Sequence, residues 1–152
     1  YDRDGDLDVL ITENTGPVRL YRNDVRSHGD TSLPDGSPRD TGPHVLQVEL
    51  RGAAGTRWAD RIERPTNRDA IGSRVTVYAD TLTVRRYVSG SSSYLSQHTR
   101  IATFGLGSRP RVDSIRIRWH GGRIPRIDTP LDADQHLIVR EGRPRIETRR
   151  LP

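Results

Sequence analysis

The chain has 152 residues, 32% of them hydrophobic, and its 25 basic and 20 acidic side chains give a net charge of +5. This length favours one main domain with room for a small appended unit. The absence of cysteine excludes disulfides, thiol catalysis and cysteine–zinc sites, and the absence of any run of 18 apolar residues excludes a transmembrane helix. All 25 basic residues are arginine, and most are scattered among acids with few aromatics. Because nucleic-acid surfaces cluster their basic residues, we expect solvated sheet faces and no nucleic-acid partner.

Carboxylates alternate with other side chains at the start of the chain. They are Asp2, Asp4, Asp6 and Asp8. Such oxygen donors suit calcium, and Gly5 allows the bend that turns several of them inward. Aligned on Gly5, an EF-hand would need Glu where Ile11 stands, so this loop is not an EF-hand. The pattern favours calcium over the alternative, an exposed Asx-rich turn.

Turn-forming residues divide the first part of the chain into short elements. Strands are predicted at Val9–Thr12 and Arg19–Arg22, and the turn at Thr15–Pro17 joins them into a hairpin. Residues 25–43 are rich in Ser, Gly, Asp and Pro, which predicts a linker. Net charge changes at the same place, from −3 over residues 1–24 to +8 over the rest.

The remaining chain predicts seven more strands with period-two alternation or turn boundaries. They are Val45–Leu50, Ser73–Tyr78, Leu82–Ser89, Arg100–Phe104, Ser114–Trp119, Arg123–Ile127 and His136–Arg140. Tight turns are expected at Ala79–Thr81 and at Gly121–Gly122. Residues 53–66 fit no strand and form an excursion, either a small hairpin or a helical turn, in which Trp58 packs on the core or is an exposed contact residue. Without a lasting helical stripe, the pattern predicts an all-β sandwich or barrel.

The acidic loop "DRDGDLDVLI" resembles the calcium loop of the FG-GAP or VCBS repeat, Asp-x-Asp-x-Asp-Gly-x-x-Asp, which forms blades of β-propellers. The resemblance implies side-chain ligands from Asp2, Asp4 and Asp8, a backbone carbonyl from Asp6, and a first Asp before Tyr1. We therefore expect residues 1–24 to be a partial repeat. Since the chain starts with Tyr and contains no Met, we expect a fragment that binds Ca²⁺ poorly by itself.

From residue 44 to 142 the chain resembles the ASPIC/UnbV domain. The matching segments are "VLQVELRG", "NRDAIGSRVTVYA", "VSGSSSYLSQH", "FGLGS", "VDSIRIRWHGGR" and "DADQHLIVREG". This domain follows FG-GAP/VCBS repeats in secreted bacterial proteins and in the cartilage acidic protein family. The resemblance therefore implies an extracellular or cell-envelope protein, in which a propeller-blade hairpin precedes a β-sandwich-like domain and residues 143–152 form a C-terminal tail.

Two polar segments of this domain are candidate binding sites. Asn67, Arg68 and Asp69 precede a strand, where they form a recognition group or satisfy loop backbone groups. The hydroxyl-rich segment 88–98 contains further candidates, which are Tyr94, Gln97 and His98. A tyrosine among small polar side chains suits a sugar surface, whereas the alternative is a loop held by its own hydrogen bonds.

Catalytic motifs are absent from the sequence. The nearest nucleophile and base are Ser96 and His98, with Asp69 as a possible orienting group, while Asp132 and Asp134 fall in a turn before a strand. We expect a non-enzymatic, extracellular calcium-binding adhesion or scaffold module that binds a protein or polysaccharide. The alternative is a carbohydrate-active enzyme or its carbohydrate-binding accessory domain.

Overall fold

A computed structural model describes residues 7–24, 43–91 and 94–151. In the first of these segments, strands β1 (Val9–Ile11) and β2 (Arg19–Tyr21) pair antiparallel, which confirms the predicted hairpin. Each strand ends one residue earlier than predicted. Residues Asp2, Asp4 and Asp6 and nearly all of the predicted linker lie outside the described residues.

Ten strands lie in the described ranges 43–91 and 94–151. They are β3 (His44–Arg51), β4 (Arg74–Ala79), β5 (Leu82–Tyr87), β6 (Ala102–Gly107), β7 (Arg111–Val112), β8 (Ser114–Arg118), β9 (Arg126–Ile127), β10 (Leu131–Asp132), β11 (Gln135–Arg140) and β12 (Glu147–Arg150). All seven predicted strands are present with shifted ends. Three short strands were not predicted: β7, β10 and β12.

Two four-stranded sheets make up most of this domain. The first has the order β12-β11-β3-β6 and the second β5-β4-β8-β9, while β7 and β10 form a separate pair. All described pairings are antiparallel except that of β3 with β11, which is parallel. None of the sheets in the described ranges closes into a barrel, so the fold is all-β and β-sandwich-like, as predicted.

Alternation along the strands sends apolar side chains from both sheets into one core. In β8, Ile115 and Ile117 are fully buried while Arg116 and Arg118 are exposed, as the sequence predicted. The first sheet contributes Leu46 and Val48 from β3 and further side chains from β6 and β11 to the same cluster. Burial of this shared face holds the two sheets together.

The tight turns are set by backbone conformation and close approach. Asp80 has φ 52° in the predicted β4–β5 turn. Between β8 and β9, only Gly122 has positive φ, at 100°. Gly121 is needed for another reason, because a Cβ there would collide with the carbonyl oxygen of Arg64.

Two segments that the sequence left irregular have defined structure. The excursion contains a single 3₁₀ turn at Ala59–Arg61, which confirms the helical-turn alternative. Residues 143–152, predicted as a tail, contain β12, which extends the first sheet antiparallel to β11. Across the described ranges, no helix has the length and apolar character that crossing a bilayer requires.

Candidate functional site

A cleft of about 800 Å³ opens where the first sheet meets the loops of the domain. Arg51 and Arg140 line it from the ends of β3 and β11, Arg68 and Asp69 from the loop before β4, and the segment 99–101 from the loop before β6. Four arginines and two carboxylates, those of Glu49 and Asp69, belong to its lining. The cleft is therefore polar, with an excess of positive charge.

The parallel pairing of β3 with β11 places two of these arginines side by side. Arg51 and Arg140 are direct partners in the register, and both strands end at the same edge. Like charges in this position repel each other. Two carboxylates offset the repulsion, because Arg51 Nε donates to Glu49 Oε1 at 2.7 Å and Arg140 Nε donates to Glu147 Oε1 at 2.9 Å.

The second of these pairs affects the pKa of its carboxyl group. The hydrogen bond from Arg140 lowers the pKa of Glu147 below its ordinary value, and the charges of Arg140 and Arg51 act in the same direction. The lowered pKa favours the ionised carboxylate of Glu147, which holds the Arg140 guanidinium at the wall of the cleft.

The first group of predicted site residues is divided by the structure. Arg68 and Asp69 line the cleft, and the Asp69 carboxylate lies 3.5 Å from the Arg100 guanidinium. Asn67 turns back on its own loop, since its side chain donates to Ile71 O at 2.8 Å and accepts from Ile71 N at 2.9 Å. The geometry thus favours the structural alternative for Asn67, and of these three residues only its two neighbours face the cleft.

The second group lies on the loop that leads into the cleft. Tyr94 is 87% exposed, and Gln97 and His98 are also exposed. These three are not in the lining, whereas Thr99 and Arg100, which follow them directly, are. The loop is partly held by its own bonds, because Ser96 Oγ donates to the Tyr94 carbonyl at 3.1 Å.

The carboxylates considered for acid–base chemistry have structural partners. Asp134 accepts from Val45 N at 3.1 Å, and its other oxygen lies 2.7 Å from Nδ1 of the buried His44. Asp132, in β10, accepts from Arg111 Nε at 3.1 Å. Asp134 therefore fixes the start of β3, and Asp132 contributes to the short β7–β10 pair.

A buried carboxylate that the sequence did not single out organises the wall beside the cleft. Glu141 is 2% exposed. Its Oε2 accepts from Ala53 N and Thr66 N at 3.1 and 2.8 Å, and its Oε1 accepts from Thr66 Oγ1 at 2.9 Å. Thr66 Oγ1 in turn accepts from Gly121 N at 3.2 Å. Glu141 thus ties both ends of the excursion to the end of β11.

The arginines at the strand ends were also missed. The available signal was weak: Arg51 is followed by Gly52, and Arg140 is followed two residues later by Gly142. Arg51 directly follows one predicted strand and Arg140 ends another, each shortly before a glycine. The sequence contains no indication that these two ends are adjacent, because that depends on the parallel pairing.

Of the four predicted calcium ligands, only Asp8 is among the described residues. It lies just before β1, and its Oδ1 accepts from Asn23 N at 2.9 Å, which joins the two ends of the hairpin. Within residues 7–24, 43–91 and 94–151, no three His, Asp or Glu side chains group in a way that could hold a metal ion. The Ca²⁺ assignment therefore depends on the sequence pattern.

Fold and cleft define an all-β, sandwich-like domain with an arginine-rich cleft. The family model described as ASPIC and UnbV matches residues 63–146, more than half of the chain. The chain belongs to this family. No curated protein matches it significantly.

Proposed function

We propose that this chain is a non-catalytic adhesion or scaffold module and that its cleft binds a polysaccharide. The observation that carries the proposal is the composition of the cleft, which combines four guanidinium donors with the carboxylates of Glu49 and Asp69. Sugars present hydroxyl groups that both donate and accept, so a surface of mixed donors and acceptors is complementary to them. Ligand sites are generally concave and contain a few fixed polar groups of this kind.

The same composition argues against nucleic acid. A nucleic acid carries a phosphate charge at every nucleotide and is bound mainly through Lys and Arg. The bases of a single strand are bound by stacking on aromatic side chains, and the described lining of the cleft contains none. A sugar hydroxyl, in contrast, can donate to the carboxylates of Glu49 and Asp69.

A glycan array of neutral and acidic oligosaccharides tests this function. We expect binding to a subset of glycans, and we expect Arg68→Gln to weaken it because no described carboxylate pairs with Arg68. The matched control is Arg118→Gln on the exposed face of β8. An array without any bound glycan, or equal loss in both variants, would show that the cleft is not a polysaccharide site and leave a protein ligand as the alternative.

We also propose that Asp2, Asp4, Asp6 and Asp8 bind Ca²⁺ in an FG-GAP/VCBS-type loop, in an extracellular or cell-envelope protein. The sequence pattern supports this, together with the position of Asp8 at the base of the hairpin. Adding one Asp before Tyr1 should make the melting temperature rise in millimolar calcium relative to EDTA. Asp8→Asn in the same background should remove the rise. A melting temperature that EDTA leaves unchanged contradicts the assignment.

The second candidate function is a carbohydrate-active enzyme or its accessory domain. The observation in its favour is that Asp69 lies in the cleft lining and that the loop carrying Ser96 and His98 leads into it. Against it, Asp69 is paired with Arg100, and Ser96 Oγ donates to a backbone carbonyl. A hydrolysis screen on any glycan that binds separates the two functions. Turnover that Asp69→Asn or His98→Ala abolishes would establish the enzyme.

A further inference from the structure

A smaller cavity of about 100 Å³ adjoins the cleft, and we propose that it receives the acidic substituent of the polysaccharide, a carboxylate or a sulfate ester. The inference rests on the proposed polysaccharide-binding function and specifies its ligand class. Arg51, Gly52, Thr56 and Arg140 line both spaces, so the cavity lies directly beside the cleft. A polymer in the cleft can therefore direct a side group into the cavity.

The cavity is much smaller than the cleft that it adjoins, about 100 Å³ against about 800 Å³. This difference suits a single substituent in the cavity and the longer polymer chain in the cleft. The cavity therefore selects a substituent on the sugar, and the main cleft accommodates the polymer chain.

Arginines predominate among the charged residues that line the cavity. Four arginines line it, namely Arg51, Arg57, Arg140 and Arg143. The single carboxylate in the lining, Glu141, is satisfied by two amides and a hydroxyl, and no described guanidinium lies within ion-pair distance of it. Arg57 and Arg143 have no carboxylate partner among the described residues. An oxyanion would provide the missing negative charge.

Two of the arginines are already oriented for an incoming anion. Arg51 and Arg140 each donate Nε to a protein carboxylate. Their terminal nitrogens make no hydrogen bond to any described residue. Guanidinium groups bind carboxylates and sulfates through paired N–H donors, and fixing one edge leaves the other prepared for such a pair.

The Trp58 indole contacts three arginines and carries a further hydrogen-bond donor. The guanidinium carbons of Arg57, Arg61 and Arg143 lie 5.5, 4.8 and 4.9 Å from the centre of the half-buried Trp58 ring, within cation–π range. Trp58 Nε1 is buried and has no hydrogen-bond partner among the described residues. Buried donors are rarely left unpaired. An anionic oxygen in the cavity that Trp58 lines would supply the acceptor.

The test compares dextran, carboxymethyl-dextran and dextran sulfate, which share one backbone and differ in charge and substituent. Binding of each polymer to the whole chain is measured by calorimetry at physiological ionic strength. We expect both acidic polymers to bind more tightly than dextran, and comparison of the two shows which anion fits better. Arg57→Gln with Arg143→Gln should weaken acidic polymers about tenfold, since a charge-assisted hydrogen bond is worth about that factor. Dextran binding should not change.

The matched control is the double variant Arg85→Gln with Arg116→Gln, which removes the same charge from exposed positions of the second sheet. Because solvent and salt screen charges at these positions, affinity should change by less than about twofold. Trp58→Phe keeps an aromatic side chain, though a smaller one, and removes the N–H. It examines the same cavity if the double variant folds poorly, and it should weaken only the acidic polymers.

The possible failures are distinguishable. Equal loss in the cavity and control variants means non-specific attraction of polyanions and overturns the inference. Equal binding of neutral and acidic dextrans overturns the inference but preserves the polysaccharide function. If none of the three polymers binds, the inference fails, and the glycan array decides the function separately. Tighter binding of a single-stranded oligonucleotide than of either acidic dextran would assign the cavity to nucleic acid instead.

Discussion

Removal of the Glu141 carboxylate should destabilise the whole domain. In Glu141→Ala, the buried amides of Ala53 and Thr66 lose their acceptor, whereas the Thr66 hydroxyl can rotate towards another partner. A buried donor left unsatisfied costs about 1–3 kcal/mol, and hydrogen bonds to a charged group are at the stronger end. Two stranded amides and the emptied volume together predict a loss of about 3–5 kcal/mol in the free energy of unfolding.

Urea unfolding followed by circular dichroism measures this loss. Because domains of this size are stable by only about 5–15 kcal/mol, the midpoint should move markedly to lower urea. The matched control is Glu63→Ala, an exposed glutamate in the same excursion, which should change stability by less than about 0.5 kcal/mol. A Glu141→Ala variant within about 1 kcal/mol of the unsubstituted chain would refute the role given to this carboxylate.

Two further predictions concern close packing and a pH titration. Gly52→Ala should cost about 1–3 kcal/mol, because its Cβ would collide with the carbonyl oxygen of Asn67, whereas Gly105→Ala meets no atom within 4 Å and should be nearly neutral in the same urea assay. The neighbouring Arg74 guanidinium, whose carbon lies 6.0 Å from the centre of the Tyr87 ring, lowers the pKa of Tyr87. Arg74→Gln should therefore raise this pKa towards 10.0, as measured by the pH dependence of the tyrosine ring NMR signal. An unchanged value contradicts the contact. The pKa of Tyr87 is lower in the folded than in the unfolded chain. The contribution of this contact to the free energy of unfolding is therefore fully present above the unfolded pKa and is lost as the pH falls through the folded pKa, so it acts only in alkaline solution.

Local features of the fold were predictable because they depend on neighbouring residues. The alternation Ile115-Arg116-Ile117-Arg118 predicts one buried and one exposed face, and β8 has both. Turn chemistry similarly located the β4–β5 connection at Asp80. In both cases the structure depends on residues a few positions apart, so the sequence pattern alone predicts it.

Features that depend on distant pairing were not predictable. Residues Glu147–Arg150 are polar and mostly exposed, and they form a strand because β11 offers them an unpaired edge. Glu141 looks like any charged residue after a strand, and its burial depends on amides contributed by residues 53 and 66. No short-range pattern marks either case.

In the candidate site, too, the residues that depend on local sequence were predicted and those that depend on distant pairing were not. Arg68 and Asp69 were identified from their polar loop, and they do line the cleft. Arg51 and Arg140 were not, because two strand ends 89 positions apart become neighbours only through the parallel pairing of β3 with β11. The exposed Tyr94 was chosen for its chemistry, but it lies outside the lining.

The most direct test of the proposed cleft is to observe its arginines during binding. In a ¹⁵N-labelled chain, the Nε–H signals of Arg51, Arg68 and Arg140 report on the cleft, and that of Arg116 reports on the opposite, exposed sheet face. Titration with a carboxymethyl-dextran oligosaccharide should shift the three cleft signals at low ligand concentration and leave Arg116 unchanged. Uniform shifts in all four signals, or shifts in Arg116 alone, would contradict a specific polysaccharide site in the cleft.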